Sequence, residues 1–499
     1  MFRDINRFSK QQYDLLIIGG GINGAAIANM AAQYGLSVAL VERSDFASGT
    51  SSKSTKLIHG GLRYIEHLEF DLVKESLKER AIQLKCAPHL VKPLGFIIPV
   101  YKKDRRPLWM MRLGVSLYDF LSGKNTIKKH CSLRRQDILE RVPGIKKEGL
   151  VGGVMYYDAQ MDDARLCLEN ILSADSKGAH VANYVEVQAF VKQNLKVIGA
   201  RVKDLVTLNT FEIKAKKIVC AVGPWTNFIL KLDHKETPTK IRTTKGIHIV
   251  YKKQFAHDAL FIQSTSDKRI FFIIPWYGHS LIGTTDTDYT GHPDDVQATD
   301  EDIEYLLRET RRIFPMENVS RDEIATTFAG LRPLVHGKGS PSDVSRKHII
   351  EQTPSDIFYV IGGKYTTYRK IAQDCLKYIL KNEKMEFPED YTLYGSGNVI
   401  EDVQELARMY QLDVSTVQLL MDKYGTRFKD ILHFVQEDPR LKEKICTCSP
   451  AIRAQVAYSI KVEMVCMVDD VIWRRLGIGY LGCKTGKCRE VIERYLKKK

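Results

Sequence analysis

The chain has 499 residues, with 75 Lys and Arg against 60 Asp and Glu, for a formal charge of +15. At about 100–200 residues per domain this length suggests two to four structural units, and 44% hydrophobic residues exclude a wholly disordered chain. No apolar stretch reaches the roughly 18 residues a membrane-spanning helix needs, and the opening MFRDINRFSKQQYD lacks the apolar core and cleavage site of a secretory signal, so action in the cytosol or on a membrane surface facing it is expected.

Residues 13–18 (YDLLII) read as a strand that stops at Gly19-Gly20-Gly21-Ile22-Asn23-Gly24. A small-residue helix follows and ends at Gly35, and residues 36–41 (LSVALV) read as a second strand closed by Glu42. Gly19, Gly21 and Gly24 fit G-x-G-x-x-G, in which the three glycines allow a tight turn, approach of a pyrophosphate and close helix packing. The helix start adds free N–H groups and partial positive charge. Glu42, 18 positions after Gly24, is placed to accept from ribose hydroxyls and to repel a 2′-phosphate. Strand, glycine turn, helix, strand and acid in this order point to a dinucleotide. The hydroxyl-rich residues 50–56 (TSSKSTK) and then 57–64 (LIHGGLRY) suit a long cofactor held along its whole length, down to an isoalloxazine.

Further along, residues 101–112 (YKKDRRPLWMMR) form the densest basic run, continuous with a helix-compatible segment in which Met110, Leu113, Leu117 and Phe120 or Leu121 share a face. A basic stretch beside an apolar, Trp-containing helix suits an interfacial membrane anchor. Phe2, Ile5 and Phe8 among Arg3, Arg7 and Lys10 make a weaker version. Residues 217–221 (KIVCA) read as a buried strand returning to the first sheet, and 270–274 and 280–283 as short strands of another. From 399 to 496 charged and apolar residues alternate with few β-branched runs, which predicts a helical cap joined near 386–391.

The ten cysteines are scattered and expected to be reduced. Neither Cys446–Cys448 nor Cys483–Cys488 has zinc-knuckle spacing and no His pair stands nearby, so no metal is expected. Recognisable RNA- or DNA-binding elements are missing, so nucleic acid is not an expected partner despite the charge. There is no Ser/His/Asp constellation or HExxH motif to suggest hydrolysis.

IIGGGINGAAIA, TSSKSTKLIHGGLRYIEH, APHL at 87–90, GPW at 223–225, IPW at 274–276, GTTD at 283–286, LRPL at 331–334 and GGKYTTYRK at 362–370 occur in this order. Together they resemble the FAD-dependent glycerol-3-phosphate dehydrogenases, the aerobic membrane-associated bacterial enzymes and their mitochondrial relatives. The resemblance runs from about 13 to 370, and the tail fits the family's helical C-terminal domain. It implies an α/β fold like that of D-amino-acid oxidase: a Rossmann-type FAD domain, a mixed, mostly antiparallel-sheet substrate domain and a C-terminal α-helical cap. The expected boundaries are 1–90, 150–235 and 326–388 for a discontinuous FAD-binding domain, 91–149 and 236–325 for a substrate-binding, membrane-facing domain, and 389–499 for the cap.

The implied reaction is oxidation of glycerol 3-phosphate at C2 by hydride transfer to flavin. The cofactor set expected for FAD is Gly19, Gly20, Gly21, Asn23, Gly24, Glu42, Arg43, Thr50, Ser51, Ser52, Lys56, Leu57, His59, Gly60, Gly61, Val185, Ala221, Gly223, Trp225, Gly283, Asp286, Gly363, Lys364 and Thr366. A phosphorylated substrate calls for cationic clamps, Arg above all for its planar fork. Arg63, Arg332, Arg346 and Lys364 lie in the matching motifs, with Tyr64 and Thr367 as hydroxyl donors. His248, between apolar neighbours in TKGIHIV, is the first choice to take the hydroxyl proton, with Arg332 competing by favouring alkoxide character.

The family's dehydrogenases deliver electrons to a quinone and its oxidases to oxygen. The compact length favours a quinone dehydrogenase, peripheral on the cytoplasmic face of the inner (plasma) membrane and held by an anionic lipid surface, with a homodimer among the expected assemblies. The competing enzymes are a glycerol-3-phosphate oxidase and a related FAD-dependent 2-hydroxy-acid or amino-acid oxidoreductase.

Overall fold

Strand β1 (Gln12–Ile18) is almost continuously apolar because both its edges and both its faces are covered. It pairs in parallel with β2 (Val38–Val41) on one side and with Thr210–Cys220 on the other. Between β1 and β2 the chain crosses over through α1 (Ile22–Gln33), whose Ala-rich surface is buried nearly all round, packed against the helices Asp163–Ser176 and Tyr368–Leu380. A Cβ on Gly24 would stand 2.0 Å from the Gly19 carbonyl oxygen, so only glycine lets the helix begin this close to the turn. The computed structural model describes residues 1–234, 238–335, 347–382, 384–387, 391–483 and 486–497.

The first sheet runs His348–Gln352, Ile357–Gly362, Thr210–Cys220, β1, β2, His180–Ala182, parallel from the second strand onward. The predicted strand at 217–221 is the central part of this order. A hairpin, Val185–Gln193 with Lys196–Asp204, continues antiparallel from Thr210–Cys220.

Among the described residues the second sheet has ten strands and is antiparallel except where Ala259–Gln263 meets Val91–Tyr101. Its middle contains Ile241–Tyr251, His279–Gly283 and Ile270–Trp276, which cover the predicted short strands. The architecture is therefore the expected mixed α/β one. Sheet membership departs from the expected segment limits in three places. Leu57–Ile58, Leu150–Met161 and, from residue 326 onward, the strand Ile324–Val335 fall in the segments expected for the FAD domain but pair within the second sheet. Leu150–Met161 lies along the whole of Val91–Tyr101, a non-local pairing that an apolar run cannot announce by itself.

The C-terminal part is helical, built on Val403–Tyr410, Val414–Tyr424, Phe428–Glu437, Arg453–Val462 and Lys487–Leu496 around an apolar cluster of its own. It docks through buried ions: Arg165 with Glu463 at 2.6 Å, Lys423 with Asp162 at 2.7 Å, and Arg475 with Asp45. The predicted junction falls partly on 388–390, outside the described residues.

The helix Leu108–Ser122 buries Val115, Tyr118 and Ser122 and turns Trp109, Met110, Leu113 and Phe120 outward, exposed by 64, 41, 63 and 80%. Lys102, Lys103 and Arg105 beside it are exposed, whereas Arg106 is half-buried and paired with Glu66. The N-terminal segment is tied down instead, with Phe8 buried and Arg3 paired to Asp204, which leaves Phe2 as its exposed aromatic. No helix among the described residues is long and apolar enough to cross a membrane.

Candidate active site

Both sheets line one cavity of about 860 Å³. At its nucleotide end, Gly19, Gly21 and Asn23 bring the start of α1 to the wall, and the Gly21 N-cap carries no side-chain cap. Unsatisfied N–H groups at such a start attract phosphate oxygens. Ile22 N donates to Ser51 Oγ at 2.9 Å, which folds the hydroxyl-rich turn Thr50–Ser52 over the glycines. The Glu42 carboxylate accepts from Gly20 N at 2.7 Å and Ser44 N at 2.8 Å, and burial raises its pKa against those bonds. Arg43 stands 5.5 Å from the Trp225 ring, and both hold Asp294. Val185, Ala221 and Gly223 complete this end.

The opposite end carries the histidines and cations. His59, on the wall, is pushed down to about 3 by burial and then by Lys364, Arg63 and Arg80. Lys364 Nζ lies 4.4 Å from the centre of the Tyr64 ring and donates to Ser76 at 2.7 Å, while Arg63 faces the same ring at 5.9 Å. Thr366 links to both backbone groups of His59, and Gly363 and Leu57 line the wall beside them.

From the second sheet, Ile241–Tyr251 and Ile324–Val335 bring His248 and Arg332 to the cavity. His248 Nε2 lies 3.0 Å from Thr55 Oγ1, its ring stacks on Phe328 at 4.9 Å, and its Nδ1 is buried without a hydrogen-bond partner. Burial first, then Arg332 and Lys56, hold this imidazole well below its ordinary pKa, so it is neutral at pH 7. Arg332 donates to Asp286 at 3.0 Å, Thr284 Oγ1 at 3.0 Å and the Thr285 carbonyl at 3.2 Å. A Cβ at Gly246 would sit 2.4 Å from its guanidinium, so glycine there leaves the fork its room.

Seven of the residues proposed from sequence stand behind the wall rather than on it. Gly20 and Gly24 shape the turn. Ser52 gives its carbonyl to Lys56 and to Tyr480. Lys56 is buried and bonded to Asp163 at 2.5 Å, because a buried ammonium is stable only when paired. Gly60 donates to Tyr118 Oη at 2.9 Å, and Gly283 leaves space for the His248 ring, which a Cβ would meet at 2.3 Å. Thr367 turns its hydroxyl to the Lys364 carbonyl. Arg346 lies outside the described residues.

The wall also contains residues the sequence did not single out: Lys53, Thr55, Asp158 and Arg269, with Phe96, Phe261 and Phe272. Thr55 and Lys53 fall inside the quoted TSSKSTK motif and were legible there in principle. Arg269 and the aromatic residues carry no local signal, since ordinary strand sequences bring them in.

The residues present fit FAD on two independent counts. The glycine-capped start of α1 and the Glu42 carboxylate share one end of the cavity, and neutral His248 stands on its wall with Arg332. Comparison with known proteins agrees. The FAD-dependent oxidoreductase family model matches residues 14–366, and the model of the C-terminal domain of alpha-glycerophosphate oxidase matches 388–497. A glycerol-3-phosphate dehydrogenase of Synechocystis is 37% identical over 95% of this chain and 90% of its own. The aerobic glycerol-3-phosphate dehydrogenase of Staphylococcus aureus is 36% identical over 95% and 88%. The crystal structure of the Bacillus halodurans glycerol-3-phosphate dehydrogenase complexed with FAD superposes with a TM-score of 0.80 at 30% identity, covering 99% of this chain and 92% of that one. The glycine turn at the start of α1, the cavity lined by both sheets and relatives matched over most of their length converge on one assignment: the chain belongs to the FAD-dependent glycerol-3-phosphate dehydrogenase/oxidase family.

Proposed function

We propose that this chain oxidises sn-glycerol 3-phosphate to dihydroxyacetone phosphate and passes the electrons to a membrane quinone. The observation that carries the reading is the pairing, on one cavity wall, of neutral His248 with the cation Arg332. FAD, when bound, supplies the two-electron acceptor for the hydride that leaves C2. The protein's own groups deal with the rest. The His248 Nε2 edge, which meets Thr55, takes the hydroxyl proton, and this requires Nδ1 to carry the ring proton. Arg332, fixed by Asp286 and Thr284, favours negative charge on the oxygen that is losing its proton. Arg63, Arg269 and Lys364 give the wall a cationic character suited to a phosphate.

The quinone reading rests on the exposed apolar face of Leu108–Ser122 next to Lys102, Lys103 and Arg105. Such a face favours a peripheral seat on an anionic bilayer, where a lipid-soluble acceptor resides. The deciding experiment mixes the yellow protein anaerobically with glycerol 3-phosphate. Bleaching of the flavin band, reversed quickly by a soluble quinone and slowly by air, supports the quinone dehydrogenase; rapid reversal by air with peroxide formation would make it an oxidase, and no bleaching would reject the substrate.

A further inference from the structure

Away from the flavin cavity, the fold collects cysteines from two distant segments of the cap. Cys446 and Cys448 follow the turn Pro439–Lys442; Cys483 follows the turn Ile478–Leu481, and Cys488 lies in the first turn of Lys487–Leu496. Cys446 Sγ and Cys488 Sγ are each 3.2 Å from Cys483 Sγ, and the three sulfurs lie within 4.8 Å of one another. Cys448, two positions after Cys446, is the fourth cysteine of these two segments. Cys483 and Cys488 are buried, Cys446 is half-buried and Cys448 exposed. None of the four lines the cavity.

Apolar packing does not call for this arrangement. Buried Cys167 and Cys375 serve as small core residues in the cluster around α1, where a thiol needs no second sulfur. A tetrahedral site with metal–sulfur bonds of about 2.3 Å places its sulfurs about 3.8 Å apart, and the three thiols, two pairs at 3.2 Å and all within 4.8 Å, are gathered closely enough to share one ion. Gly482 and Gly486, which stand one and two positions before Cys483 and Cys488, have φ of 93° and 70°, where side chains would be strained.

We propose that Cys446, Cys448, Cys483 and Cys488 form a thiolate site for a soft or borderline metal, zinc or iron, that clamps the C-terminal end of the chain. Binding forms metal–sulfur bonds and releases the thiol protons to solvent, with no change of oxidation state. The clamp acts on a segment that reaches the active site. Cys483 N donates to Ile478, and Tyr480 between them donates to the Ser52 carbonyl at 2.7 Å. The Tyr480 ring packs edge-on against Phe328 at 5.2 Å, and Phe328 is the residue on which His248 stacks. Metal at the cysteines therefore fixes the backing of the His248 wall.

The test uses the full-length flavoprotein purified anaerobically, with metal, flavin and acid-labile sulfide measured per chain. We expect about one zinc or iron per chain without sulfide, or about two irons with matching sulfide if iron is held as a cluster; either supports the thiolate site. Cys483→Ser/Cys488→Ser should lower the metal at least about tenfold, while Cys131→Ser, an exposed cysteine elsewhere, keeps it. Should the double variant fail to fold, wild-type protein stripped by a chelator should expose additional reactive thiols, which Zn²⁺ protects again. Co²⁺ added to the stripped protein should produce a sulfur-to-cobalt charge-transfer band. Metal below about 0.1 per chain both as purified and after reconstitution with Zn²⁺ or with iron and sulfide would overturn the proposal. So would a Cys446–Cys483 disulfide in the purified protein, or full metal retention in the folded double variant.

Discussion

Arg475 meets Asp45 through two parallel bonds, Nη1 to Oδ2 at 2.8 Å and Nη2 to Oδ1 at 2.9 Å, across 430 positions of sequence with both side chains fully buried. Burial opposes a charge on Asp45, but Arg475 and Arg474 outweigh it and hold the carboxyl below the usual range. Asp45 lies three residues after Glu42, so this pair fastens the helical cap close behind the Glu42 end of the cavity.

Removing one partner of a buried pair costs about 3–5 kcal/mol when the other charge is left uncompensated, and less here because Arg474 still meets Asp45. Arg475→Ala should therefore lower the melting temperature markedly and weaken flavin retention. Asp45→Asn/Arg475→Met, which removes both charges, should recover part of the loss. A melting temperature unchanged in Arg475→Ala would show that the cap is held elsewhere.

Arg332→Ala should reduce kcat/KM for glycerol 3-phosphate by roughly ten- to a hundredfold, from the loss of charge-assisted bonds worth about 1.5–3 kcal/mol. The loss should be similar in proportion with glycerol 3-phosphate and with glycerol, which share the C2 hydroxyl, and flavin content should stay near one per chain. A loss confined to glycerol 3-phosphate would place Arg332 on the phosphate instead.

His59 titrates near 6.5 when unfolded but is pushed down to about 3 in the folded protein, by burial before the cations. The native state then binds fewer protons between these values, so stability falls as pH drops from 6.5 towards 3. His248 contributes with the same sign. His59→Gln should flatten the fall of melting temperature between pH 6 and 4, by at most about 1.4 kcal/mol per pH unit. An unchanged slope would assign the acid sensitivity to other groups.

Charge reversal at Lys102, Lys103 and Arg105 should weaken sedimentation with anionic liposomes, since each basic residue near such a surface contributes about 1 kcal/mol. Trp109→Ser/Leu113→Ser should remove the salt-resistant part of binding. Turnover with a water-soluble dye should persist in both variants, as these side chains stand outside the cavity. Liposome binding equal to wild type would move the contact elsewhere on the surface.

The sequence by itself determined the nucleotide turn. Gly19, Gly21, Gly24 and Glu42 lie within one βαβ unit, where local sterics and hydrogen bonding set the geometry. The helical cap and the strand before Gly223 were legible for the same reason, as hydrophobic periodicity is a local property. Tertiary structure decided what depends on distant partners. It assigned Leu150–Met161 to the second sheet through pairing with Val91–Tyr101, because an apolar strand does not encode which sheet it joins. Lys56, read from its motif as a cofactor contact, is drawn instead to Asp163, since a buried ammonium goes to the nearest buried carboxylate. Read pair by pair, Cys446–Cys448 and Cys483–Cys488 had no metal-site spacing; only folding brought Cys446, Cys483 and Cys488 within 4.8 Å. Spacing along a chain records neighbours in sequence, whereas the chemistry of charges and thiols follows neighbours in space.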